Sequence, residues 1–123
     1  MSDLGLFKGR RVLLTGHTGF KGMWLALLLL RAGAEVTGFA LDAPTEDGAE
    51  ALRRLGILKE LRDVRGDVCE LSALRRAFEE ARPEIVFHLA AQPIVRTSYR
   101  QPVDTFATNV MGTVNLLECV RTS

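Results

Sequence analysis

Apolar residues fall along this chain in two alternating rhythms: short continuous runs, and longer stretches with helical spacing. Arg11–Leu14 reads as a first strand, Glu35–Ala40 as a second, Leu61–Arg65 as a weaker third, and Ile85–Leu89 as a fourth, interrupted only by His88. Helical patterns lie between them. Gly19–Ala32 carries the most apolar run of the chain, Met23–Leu30, and Gly33 is a good C-terminal helix breaker. Met23 and Trp24 are expected in that helix's core. Leu41–Thr45, with Pro44, is a turn. Ala49–Leu58 has helical spacing at Ala51, Leu52 and Leu55, with Gly56 weakening its end. Leu71, Leu74 and Phe78 recur on one helical face that Pro83 terminates. A last helix has Pro102 in its first turn and a stripe of Val103, Phe106, Ala107, Val110, Val114 and Leu117 running towards Cys119. That stripe either covers the sheet or meets a partner.

Strand and helix alternate four times. The alternation predicts parallel strands joined by right-handed crossovers, with helices on both faces: a Rossmann-type, doubly wound α/β domain over residues 1–123 with strand order 3-2-1-4. Ligands of such sheets bind beyond the carboxyl ends of the strands, where the strand order reverses. The first and fourth strands flank that point. The two most distinctive segments, Thr15–Gly22 and His88–Ser98, follow those two strands.

Composition narrows the partners. The 123 residues carry 16 basic and 15 acidic side chains, a formal net charge of +1. Nucleic acid and anionic membrane surfaces call for a basic excess, which is missing. Met23–Leu30 is too short to span a bilayer, which takes about 20 apolar residues. Cys69 and Cys119 form no CxxC pair, so neither a metal site nor a disulfide framework is expected. Without a secretory signature the simplest compartment is the cytoplasm.

Thr15–Gly22 has glycines in the pattern TGxxGxxG. Gly16 suits a sharp strand-to-helix turn, Gly19 lets the backbone approach a pyrophosphate, and Gly22 lets the helix pack closely. The helix N-terminus then presents N–H groups and a positive dipole end to phosphates. Asp42 either holds the adenine ribose hydroxyls or is a solvated turn residue. No arginine closely follows the second strand to take a 2′-phosphate, which favours NAD over NADP. In Gly66-Asp67-Val68, Asp67 either bonds the adenine amine or serves the N-terminus of the next helix. His17 reads as a residue shaping the turn, and His88 as a satisfied core histidine. Arg96 and Ser98 either approach a substrate or are solvated loop residues.

TGxxGxxG, GDV, His88-Leu89-Ala90-Ala91-Gln92 and Asn109 in a long helix together resemble the extended short-chain dehydrogenase/reductase family over nearly the whole chain. Gly16–Leu25, Phe39–Thr45 and Ala90–Tyr99 resemble its nucleotide-sugar 4,6-dehydratases, in the branch that takes CDP-glucose. The resemblance implies a redox-neutral lyase using NAD. Hydride leaves C4 of the glucose ring, water leaves across C5 and C6, and the hydride returns to C6, giving CDP-4-keto-6-deoxyglucose. It implies that Gly16, Thr18, Gly19, Phe20, Lys21 and Gly22 contact or shape the pyrophosphate site. Asp67 and Val68 would meet the adenine. Leu89, Ala90, Ala91 and Gln92 would line the ribose and nicotinamide side, with Thr108 beside them. Asn109 would support the catalytic lysine, unless it is a plain helix-surface residue. Relatives dimerise through the helix after strand four, so a homodimer is expected of the full-length protein.

The family's active site also needs a Tyr-x-x-x-Lys pair, whose lysine lowers the tyrosine pKa. The only tyrosine is Tyr99, with Val103 four residues on, and no lysine follows Lys59. The expectation is therefore of a fragment, truncated after the fourth strand and its helix. It should bind a dinucleotide weakly or not at all and should not turn over. The alternatives are a nucleotide-sugar epimerase or another dehydratase of the same family, or a non-catalytic dinucleotide-binding module.

Overall fold

The computed structural model describes residues 2–91 and 95–123. Four parallel strands, β1 (Arg11–Thr15), β2 (Glu35–Ala40), β3 (Arg62–Arg65) and β4 (Ile85–His88), stand in the order β3-β2-β1-β4. The order matches the expected reversal between β1 and β4. The register aligns Thr15 with Phe39 on one side and with His88 on the other, so three strands end level.

Helices cover both faces, as parallel sheets require. On one face α1 (Phe20–Arg31) and α2 (Glu46–Leu55) pack on the sheet, where Val12, Leu14, Met23, Ala26, Leu29, Val36 and Leu52 form a core. On the other, α3 (Leu71–Ala81) and the last helical stretch enclose Leu13, Phe39, Leu74, Phe78, Leu116 and Cys119. Val12 and Leu14 face one core and Leu13 the other, the period-two alternation of a strand buried on both sides.

Local signals explain most boundaries. Gly33 takes φ +87 after α1, and Gly56 takes φ +68 after α2. Helix α2 starts earlier than its apolar spacing indicates. The Thr45 hydroxyl accepts the Gly48 N–H at 3.0 Å, capping a first turn that is polar and so invisible to hydrophobic periodicity.

The last helical stretch departs most from expectation. It is built as α4 (Val95–Arg100), α5 (Pro102–Phe106), a π-helical turn (Ala107–Met111) and α6 (Gly112–Thr122). The apolar stripe of Val103, Phe106, Val110, Val114 and Leu117 faces outward and does not cover the sheet. The buried face is Gly112, Asn115, Leu116 and Cys119. A small residue and a hydrogen-bonding one allow the close approach that a stripe of branched side chains would prevent. A Cβ on Gly112 would lie 2.6 Å from Cγ2 of Val68, and the Asn115 amide donates to the Val68 carbonyl at 2.9 Å. Trp24 is likewise corrected: Met23 is buried, but Trp24 is 51% exposed, one turn after the exposed Phe20.

Gly112→Ala sets helix propensity against packing. Alanine favours a helix interior by about 1 kcal/mol. The stiff, branched Val68 side chain cannot retreat cheaply, and overpacking costs about 1–3 kcal/mol. We expect Gly112→Ala to lower the midpoint of denaturant unfolding. A raised midpoint would mean that α6 does not dock through this face.

Candidate functional site

One hydroxyl ties the end of β1 to the end of β4, beside the backbone bond from the Leu89 N–H to the Thr15 carbonyl at 3.0 Å. Thr15 Oγ1 accepts the N–H groups of Leu89 at 3.1 Å and Ala90 at 3.2 Å, and donates to His88 Nδ1 at 2.6 Å. That bond leaves the His88 proton on Nε2, which meets Thr113 Oγ1 at 3.2 Å. Thr113 in turn donates to the Asn109 carbonyl at 2.8 Å, inside the π-helical turn. A directed chain of hydrogen bonds therefore runs from β1 through β4 to the segment carrying Thr108 and Asn109. Burial lowers the His88 pKa, which keeps the ring in the neutral form that this chain requires. His88 is a satisfied histidine, as its sequence context indicates, although β4 is only half-buried.

After Thr15 the backbone turns sharply. Gly16 takes φ +88, and its N–H continues the ladder to Phe39 O at 2.9 Å. A Cβ on Gly16 would stand 2.8 Å from the Leu89–Ala90 peptide. A Cβ on Gly22 would stand 1.8 Å from the Gly16 carbonyl oxygen, so helix α1 sits directly on the turn that starts it. Gly19 differs. Its φ is −80, and its Cβ would meet only the Gly16 oxygen, at an ordinary 3.4 Å. No described residue demands glycine there. Helix α1 opens without a side-chain cap and without an acidic residue in its first turn. Its dipole is left uncompensated, with Lys21 adding positive charge. Thr18 donates to the Leu41 carbonyl at 2.7 Å and ties the turn to the loop after β2.

His17 lies inside the protein. Its ring is fully buried over Gly38, where a Cβ would lie 2.4 Å from the imidazole, and Nε2 reaches Asp63 Oδ1 at 2.6 Å. Burial lowers the His17 pKa and outweighs the Asp63 hydrogen bond and charge, which raise it. Burial favours the neutral ring, in which Nε2 carries the proton that faces Asp63, and Nδ1 has no hydrogen-bond partner among the described residues. Burial pushes Asp63 upward, but hydrogen bonds from Arg65 and His17 outweigh it and hold the carboxyl below its ordinary value. Arg65 bonds Asp63 through Nε at 2.9 Å and Asp42 through Nη1 at 2.5 Å.

The expected site residues are therefore gathered at one edge of the sheet, in differing circumstances. Gly16, Thr18, Gly19, Phe20, Lys21 and Gly22 form the turn and first helical turn. Asp42 is 88% exposed and ion-paired. Asp67 Oδ1 accepts the Cys69 N–H at 2.9 Å, closing the turn before α3. The Val68 side chain is committed to the core. Leu89 and Ala90 are half-buried and Ala91 is exposed beside the turn; Thr108 is half-buried and Asn109 exposed. Gln92 lies outside the described residues. Sequence reasoning passed over Thr15, Asp63, Arg65, Thr113 and Asn115. Each has at least one partner that is remote in the chain. A cavity lined by Arg75, Phe78, Arg82, Cys119 and Arg121 lies at the opposite, amino end of the strands. No group of histidine, cysteine and acidic residues that could hold a metal occurs among the described residues, and no described helix is long and apolar enough to cross a membrane.

Residues 13–123 match the family model of GDP-mannose 4,6 dehydratase. Over 121 residues the chain is 53% identical to CDP-glucose 4,6-dehydratase of Salmonella typhimurium, covering 98% of this chain and 33% of that protein. It superposes on UDP-glucose 4-epimerase of Thermus thermophilus in complex with NAD, with TM-score 0.78 and 35% identity, covering 91% of this chain and 34% of that one. An epimerase of Methanothermobacter thermautotrophicus gives TM-score 0.85 at 30% identity, over 99% of this chain and 34% of that one. The chain spans about one third of the length of the proteins it matches.

Both histidine rings are held below their ordinary pKa of about 6.5. The unfolded chain therefore binds protons that the folded chain refuses. Stability is full above about pH 6.5 and declines as the pH falls below it, by at most about 1.4 kcal/mol per pH unit for each ring. A proton NMR titration of the folded protein should give both rings midpoints below 6.5. A midpoint at or above 6.5 for His17 would contradict its buried, neutral placement.

Proposed function

The chain belongs to the GDP-mannose 4,6-dehydratase family of extended short-chain dehydrogenases/reductases, and from that premise we propose that residues 1–123 supply the NAD-binding part of a nucleotide-sugar 4,6-dehydratase. The observation that carries the proposal is Gly19. Neither its backbone angles nor its neighbours among the described residues require glycine, while Gly16 and Gly22 are required by the fold itself. A glycine that the protein does not need is explained by a ligand backbone that comes close. It lies at a helix N-terminus that is uncapped and free of acid, which suits a pyrophosphate.

In this reading the N–H groups of the first turn of α1 hold the pyrophosphate. Asp42 meets the adenine ribose, and Asp67 and the Val68 backbone meet the adenine. Leu89, Ala90 and Ala91 line the path towards the nicotinamide, with Gln92 next in the chain. The cofactor, once bound, supplies a hydride acceptor and donor. The chain from Thr15 through His88 and Thr113 fixes the spacing between that path and Thr108 and Asn109. We propose that Asn109 supports the family's catalytic lysine.

The substrate proposed for the whole protein is CDP-glucose, dehydrated to CDP-4-keto-6-deoxyglucose. The 53% identity to the Salmonella enzyme supports this substrate over those of epimerase relatives. The outward stripe from Val103 to Leu117 supports a homodimer of the whole protein, with the stripe at its interface. Tyr-x-x-x-Lys does not occur within these 123 residues. We therefore expect the chain alone not to turn over, since no group in it can take the C4 hydroxyl proton in the family's manner. Conversion of CDP-glucose by the purified 123-residue chain would overturn that statement.

Gly19→Ala separates ligand from fold. We expect an unchanged unfolding midpoint and NAD binding weakened at least about tenfold, the cost of about 1.4 kcal/mol of lost phosphate contact. Wild-type NAD affinity in a folded Gly19→Ala protein would remove the observation on which the proposal rests.

A further inference from the structure

Arg65 stands where no arginine is expected from the order of residues. It is the last residue of β3, 23 positions beyond Asp42, yet the sheet brings its guanidinium to the loop that follows β2. Residues Asp63 and Arg65 share one face of β3 because side chains alternate along a strand. Arg65 spans two carboxylates, with Nε on Asp63 at 2.9 Å and Nη1 on Asp42 at 2.5 Å. His17 completes the row behind Asp63. Two carboxylates, Asp63 and Asp42, therefore face the one guanidinium of Arg65.

We propose that Arg65 is a specificity-determining residue of the dinucleotide site, withheld from a 2′-phosphate by Asp42. The inference rests on the cofactor reading given above. A ribose with free hydroxyls offers neutral donors, which the second oxygen of Asp42 can accept. A 2′-phosphate brings about two negative charges beside the Asp42 carboxylate, and Arg65, the cation placed there, is engaged twice. The two pairings are unequal. Asp63 is 26% exposed and is also held by His17, whereas Asp42 is 88% exposed and makes one bond. Removing the Asp42 carboxylate therefore leaves Arg65 anchored at Nε by Asp63. Nη1 is then directed at the space that the carboxylate occupied. Preference for NAD over NADP follows from one exposed carboxylate that masks an arginine already in position.

The test is a set of NAD and NADP titrations followed by NMR on the whole protein in its wild-type form and as Asp42→Ala, Asp42→Asn and the double variant Asp42→Ala/Arg65→Ala. Thermal unfolding of each variant checks that it is folded; Asp42 is exposed, and Asp42→Asn keeps its size. We expect the wild type to prefer NAD. Both single variants should shift the NADP-to-NAD affinity ratio towards NADP by about tenfold, as expected of a charge-assisted hydrogen bond. Part of that shift should be tighter NADP binding in absolute terms, and the double variant should lose that gain. A gain in NADP affinity that persists without Arg65 overturns the proposal, because loss of the Asp42 charge alone then accounts for it. Wild-type NAD binding with no shift in either single variant overturns the proposal and leaves the cofactor reading standing. Binding of neither dinucleotide by any of the proteins overturns the cofactor reading and the proposal with it.

Discussion

The contact between Gly22 and the Gly16 carbonyl leaves no room for a single methyl group, and the arrangement of the site depends on it. Because α1 rests on the turn that precedes it, the helix axis is aimed by the end of β1 with no intervening side chain. The same turn is pressed from the other side by the Leu89–Ala90 peptide, which Thr15 Oγ1 holds in place. The end of β1, the first turn of α1 and the remote Leu89–Ala90 peptide are thus packed too closely for a side chain at Gly16 or Gly22. The energetic consequence is steric: a side chain at Gly16 or Gly22 must move backbone, which is far costlier than moving a flexible side chain. The functional consequence is that the positive end of the α1 dipole is fixed beside the crevice between β1 and β4.

Polar groups around this lock are satisfied in an orderly way. Thr15 donates to a neutral His88, His88 to Thr113, and Thr113 to the Asn109 carbonyl, so each donor faces one acceptor. On the other side of β1, His17, Asp63, Arg65 and Asp42 form a second row, from a fully buried ring to an exposed carboxylate. The first row sets distances between segments. The second sets the charge beside the loop that follows β2. In both, burial lowers the pKa of a histidine.

Much of this was legible in the sequence because it is local. The apolar runs at Val12–Leu14 and Val36–Ala40 mark strands, the glycines of Thr15–Gly22 mark a turn with a helix behind it, and alternation orders the sheet. What was not legible is the choice between faces and the meeting of remote polar residues. Periodicity picks out Val103 to Leu117 as the stripe of the last helix, yet the helix docks through Gly112 and Asn115. Close approach and one buried hydrogen bond outweigh apolar area there. Trp24 falls outside the core because α1 buries Met23 and Ala26 instead. Arg65 escapes a rule that looks for arginine just after the second strand, since parallel pairing supplies one from the third.

The central claim is that the turn from Gly16 to Gly22 is a dinucleotide cradle. Its most direct test is amide chemical-shift mapping of the isotope-labelled chain titrated with NAD to high concentration, which detects weak binding. The account predicts perturbations concentrated in residues 16–22, with smaller ones at Asp42, at Asp67 and Val68, and at Leu89 to Ala91. Absence of perturbation in the turn, or a response confined to the cavity between α3 and α6, would contradict it.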